Sequence, residues 1–126
     1  MLLPISIEDI GFGKKLWNAV RDDPGFPAEG AFWIFQTDPD DWRLFIATRL
    51  VDEEGSRRAY SDLSPFLQRV EADAEQQLRI VLISPNASLF QALRSLFRGK
   101  NINGQRLTHT VLGGTYIDGA YIYEIR

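Results

Sequence analysis

The run Leu78-Arg79-Ile80-Val81-Leu82-Ile83-Ser84 constrains the fold of this chain more than any other segment. From Ile80 to Ile83 every position is apolar, so both faces of an extended strand there must be covered. Pro85 follows and stops it. Such a strand is expected in the interior of a sheet, with a neighbour on each margin. The preceding sequence supplies a neighbour. Over residues 42–50, Trp42, Leu44, Ile46 and Thr48 alternate with Arg43, Phe45, Ala47 and Arg49, the period of a strand. Between the two strands, Ala59, Leu63, Phe66, Leu67, Val70 and Ala74 fall at helical spacing over 56–74. Strand, helix and strand in this order predict a right-handed crossover with the two strands parallel. Pro65 sits inside the helical stretch and predicts a kink or a restart there.

The remaining segments extend this unit. A first helix is expected over 7–22, capped by Ser6 with Asp9 at the capping-box position. Gly11 and Gly13 weaken it, each by about 1 kcal/mol relative to Ala. The aromatic run Ala31-Phe32-Trp33-Ile34-Phe35 reads as a strand that pairs with the Trp42 strand across the turn residues 37–41. Residues 52–55 read as a loop. After Pro85, Asn86 or Ser88 should cap an amphipathic helix that runs to about Arg98, and Gly99 should stop it. Residues 101–104 read as a turn. Two strands, 105–112 and 115–125, then flank Gly113-Gly114, which we read as a hairpin turn, with Asp118-Gly119 as a bulge or kink. The expected fold is α+β (mixed α/β): one mixed sheet of about five strands with three helices, in the order α-β-β-α-β-α-β-β, forming a single domain.

Function is less legible. The chain has no cysteine, which removes disulfides, zinc–thiolate sites and thiol nucleophiles. Its one histidine, His109, lies in an expected strand without a G-x-S-x-G elbow elsewhere. Gly99-Lys100 lacks the spacing of a P-loop, and no glycine pattern matches a dinucleotide fingerprint. Two acidic clusters, Asp38/Asp40/Asp41 and Asp52/Glu53/Glu54, flank opposite ends of the Trp42 strand and cannot share an ion; neither has EF-hand spacing. No catalytic residue, metal site or cofactor is therefore expected. The N-terminal apolar stretch is too short for a signal segment, and no run is long enough to span a membrane. The expectation is a soluble, cytoplasmic protein.

Two binding readings remain. Net charge is −3, but residues 1–63 hold 7 basic and 12 acidic side chains while residues 64–126 hold 7 and 5. Arg94, Arg98, Lys100 and Arg106 concentrate the basic excess and suggest a patch for an anion or nucleic acid. Arg49, Asp52, Ser84 and Asn86 should meet at the carboxyl ends of the parallel strands, where the free N–H groups of a helix could receive an anion. The other reading rests on surplus aromatics. Trp33, Phe35 and Phe45 on the sheet, with Tyr116, Tyr121 and Tyr123 near the C-terminus, suggest an uncovered face for a protein partner or a second copy. The first choice is a small interaction or accessory module, with self-association as its simplest form. A nucleic-acid or phosphate-ligand binder is the alternative.

Overall fold

The computed structural model describes every residue except Met1, Gly99, Asn101 and Asn103. Among the described residues it contains one mixed five-stranded sheet and five helices. The strands are β1 (Ala28–Gln36), β2 (Asp41–Thr48), β3 (Ile80–Ile83), β4 (Gln105–Leu112) and β5 (Thr115–Ile125). The helices are α1 (Ile7–Val20), α2 (Leu50–Glu54), α3 (Ser56–Arg69), α4 (Ala74–Leu78) and α5 (Ser88–Phe97). The α+β class holds, with two short helices more than the pattern predicts.

Strand order across the sheet is β3-β2-β1-β5-β4. β2 and β3 run parallel, with Leu44 opposite Ile80 and Ala47 opposite Ile83, so the expected parallel pair is present. Its position is not the expected one. β3 lies on the margin of the sheet, and the apolar run is shorter than 78–84 because Leu78 ends α4 and is 78% exposed. The reason is that full apolarity reports covered faces, not hydrogen-bonded margins. Ile80 and Leu82 are buried in the cluster beneath α1 and α3, and Val81 and Ile83 pack partly against the opposite cluster.

The two faces carry separate cores. On one, α1 and α3 cover Trp33, Phe35, Trp42, Leu44 and Ile46 with Leu16, Trp17, Leu63 and Phe66. On the other, α5 covers Phe32, Ile34, Phe45, Ala47 and Ile122 with Phe90, Leu93 and Phe97. Gly13 is what lets α1 come close: a Cβ there would come within 2.6 Å of the Trp33 indole nitrogen. The glycine that looked like a weakness of the helix is required by its packing.

Helix ends account for most boundary errors. Ser6 caps α1 as expected by accepting from the Asp9 N–H, but the Asp9 carboxylate is engaged elsewhere, by Arg79. α2 forms where a loop was expected, and just before it the buried Thr48 hydroxyl donates to Pro27 O and accepts from the Leu50 N–H. α3 passes through Pro65 without a restart. It ends at Arg69 because Glu71 adopts φ 57° and the Ala72 N–H returns to Leu67 O, a left-handed stop made without glycine. A second helix then begins at Ala74, where Asp73 and Gln76 form a full capping box. For α5 the N-cap is Ala87, with no side-chain cap from Asn86 or Ser88. The proposed stop at Gly99 and part of the 101–104 turn lie outside the described residues.

The C-terminal hairpin turns at Gly113-Gly114, both with positive φ (57° and 82°), between Leu112 and Thr115. The kink placed at Asp118-Gly119 is present and involves both strands. Ile117 and Ala120, three residues apart, face the same cluster, and so do Leu107 and Leu112, five apart. An odd separation on one face means that each strand changes phase between them. His109, opposite Asp118, takes φ 47°. A second irregularity went unforeseen. The β1–β5 register slips between Ala31 and Phe32, and Tyr123 is the extra residue on β5. This slip lets Tyr123 and Glu124 both point toward α1.

Candidate functional site

The anion pocket expected at the ends of β2 and β3 is occupied by the chain's own groups. Ser84 Oγ donates to Asp52 Oδ2 at 2.7 Å, and the Asn86 N–H donates to Ser84 Oγ. A carboxylate therefore sits where an anion was to bind, and it repels one. Arg49, the N-cap of α2, pairs with Glu53 at 3.3 Å instead of facing that point. The first turn of α5 is also packed: a Cβ on Gly113 would lie 2.5 Å from the Ser88 carbonyl. In the adjacent acidic group, Glu54 has its carboxyl raised by a hydrogen bond with Asp62. Among the described residues, no three histidine, aspartate or glutamate side chains converge as a metal-holding group.

The basic residues do not form one groove. Arg94 donates to Glu29 at 2.6 Å and to Arg126 O, with its guanidinium over the Phe90 ring. It holds the end of β5 and the start of β1 to α5. Arg98 and Lys100 are exposed at the C-terminal end of α5. Arg106 lies over the ring of Tyr121, on the α1 side of the sheet. The four cations thus divide between two faces.

The aromatic residues chosen as an interface are mostly core. Trp33, Phe35, Phe45 and Tyr123 are all buried, and Tyr121 is partly so. Trp33 and Phe45 are moreover on opposite faces, because Phe45 stands opposite Phe32 and Trp33 opposite Leu44. The four buried side chains present no surface to a partner. Trp33 instead donates to Tyr123 Oη at 2.8 Å, and Tyr123 donates to Ile10 O at 2.6 Å. Burial pushes the Tyr123 phenol far above its ordinary range.

Two polar assemblies had no sequence signal. In one, Arg79 makes a fork to Asp9 at 2.7 and 2.8 Å, donates to Trp42 O, approaches Asp41 at 3.5 Å and lies over the Trp33 ring. Both Arg79 and Asp9 side chains are only 16% exposed. In the other, Arg126 links Arg21 O, Asp22 and Glu124. Both join distant segments and are structural ties.

Exposed apolar side chains are scattered, among them Ile7, Leu78, Leu3 and Leu96, but two of them stand together at the end of the β4–β5 hairpin. Val111 and Tyr116 stand opposite each other across the two strands, 66% and 56% exposed. The Tyr116 hydroxyl meets His109 Nδ1 at 2.7 Å. Beside Tyr116, where β5 bends away from β1, a cleft of about 320 Å³ is lined by residues of 34–37 and 115–118. Of this pair the sequence suggests Tyr116 as an interface residue but not Val111; the phase change at His109 and Asp118 turns both out. No protein-family model, characterised protein or solved structure matches the chain.

Proposed function

We propose that this protein acts by contact, as a small interaction module that associates with its own copy through the end of the β4–β5 hairpin. The observation that carries this reading is the exposed cross-strand pair Val111–Tyr116 at the margin of the sheet. A valine and a tyrosine side by side give apolar area together with a hydroxyl that stays hydrated, the composition that suits an interface. No aspartate, glutamate, lysine or arginine lies between Leu107 and Ile117, so two such ends can approach without carboxylates or ammonium and guanidinium groups of like charge meeting. A nucleic-acid or phosphate binder using Arg98, Lys100 and Arg106 has less support, because these cations do not share a face.

Light scattering across a concentration series tests the reading. The wild-type chain should pass from monomer to dimer, and the double variant Val111→Lys/Tyr116→Lys should remain monomeric with an unchanged thermal transition. A wild-type chain that stays monomeric at its solubility limit removes the proposal, as does a double variant that dimerises equally well.

A further inference from the structure

The apolar strand β3 ends the sheet, yet its outer margin is not bare. In a parallel strand the N–H and C=O of one residue point to the same side. Arg79 O accepts from the Leu44 N–H, so 79, 81 and 83 face β2 while Ile80 and Leu82 face outward. One side chain meets both outward residues. The Leu82 N–H donates to Tyr60 Oη at 3.0 Å, and the same hydroxyl donates to Ile80 O at 3.4 Å. A phenol oxygen, donor and acceptor at once, thus occupies the place that a neighbouring strand's C=O and N–H would take.

We propose that the Tyr60 hydroxyl is a plug on the β3 margin that prevents strand addition by a second copy of this chain. Three observations support it. The strand under the plug, Ile-Val-Leu-Ile, has no charge and no proline, the usual guards of a free margin. Paired antiparallel with itself it brings no like charges together, so its own copy is the occupant it fits. The plug also has open space beside it. Tyr60 is 40% exposed, and its ring borders an open cleft of about 440 Å³ with Ser64, Leu67, Ala74, Gln77 and Leu78.

Tyr60→Phe keeps the ring and removes the hydroxyl, and amide hydrogen exchange reads the result residue by residue. In dilute solution the Leu82 amide should exchange about five- to tenfold faster than in wild type, the loss of one hydrogen bond. At high concentration the variant should associate and both the Ile80 and Leu82 amides should become protected. Adding Val81→Lys should abolish that association while leaving the dilute Leu82 exchange fast. An unchanged Leu82 rate in Tyr60→Phe overturns the proposal, and so does association that leaves Ile80 and Leu82 unprotected. If the variant does not fold, wild type decides: a Leu82 amide exchanging at the rate of an open edge rules the plug out, and a protected one supports it. The readout at Ile80 and Leu82 also separates this association from any through the β4–β5 hairpin, which leaves those amides unchanged.

Discussion

The two margins of the sheet solve the same problem in different ways. β3 is four residues long, apolar throughout and backed by helices. Its open backbone is met by Tyr60, and its start is tied by the Arg79–Asp9 fork to α1. β4 is twice as long, and most of its side chains face solvent. No helix side chain ties its free side among the described contacts. It is instead interrupted by His109, whose positive φ divides the margin into 105–108 and 110–112. One margin is closed by side chains from elsewhere in the chain and the other by its own backbone shape. A sheet thus needs no uniform rule for its edges; each edge uses what its neighbourhood supplies.

The comparison breaks most readily at Arg79. Arg79→Met keeps the stem and removes the fork, the bond to Trp42 O and the charge over Trp33, leaving Asp9 largely buried without its partner. Loss of one member of such a pair costs about 3–5 kcal/mol; with side chains 16% exposed, about 3 kcal/mol is expected. Urea unfolding followed by tryptophan fluorescence measures it. A loss under about 1 kcal/mol would mean that apolar burial alone holds the β3 side, and the contrast between margins would lose its polar half.

Tyr123 marks where the polar ties to α1 stop, on β5, one strand short of β4. Tyr123→Phe leaves the Trp33 N–H and Ile10 O without their shared partner, a loss of about 1–2 kcal/mol. It also carries a pH signature. Burial raises the phenol in the folded state, so the neutral form is tied to the fold. The stability it contributes is intact below the ordinary phenol value of about 10 and falls as pH rises above it. Unfolding titrations between neutral and alkaline pH should show a steeper decline in wild type than in Tyr123→Phe. Parallel declines would show that the phenol is not what ties β5 to α1.

These ties also explain what could be read from the sequence and what could not. The α+β class, the antiparallel β1–β2 pair, the parallel crossover and the Gly113-Gly114 turn follow from period and from local turn chemistry. Each such signal lies within a few residues of the feature it sets. The β3 margin could not be read this way, since the group that closes it, Tyr60, comes from a helix 20 residues earlier. The end of α3 was hidden because Glu71, not glycine, adopts the left-handed conformation there. Tyr121 and Tyr123 share a face as alternation implies, but α1 covers that face, so a pattern that suggested exposed tyrosines gave a buried one; the bulge at Tyr123 shifts only the residues after it. For the candidate site, residue type suggested cations and aromatics, but packing used Arg94, Trp33 and Phe45 internally and left Val111 and Tyr116 outside.

The smallest effect bears on the β4 margin itself. If backbone shape is what interrupts this edge, the residue in the left-handed conformation should matter more through its Cβ than through its imidazole. A side chain at φ 47° carries a steric cost of about 1–2 kcal/mol, which glycine avoids at the expense of chain entropy. His109→Gly should therefore raise stability by no more than about 0.5 kcal/mol, despite losing the exposed contact to Tyr116. His109→Val places a β-branched residue in the same conformation and should lower stability by about 1 kcal/mol or more. Because Leu107 and Leu112 lie on one face only when the phase changes between them, valine cannot simply straighten the strand without exposing one of them. Urea midpoints of the two variants should thus move in opposite directions. If both fall equally, the imidazole and its bond to Tyr116 hold the kink, and β4, like β3, is closed by a side chain.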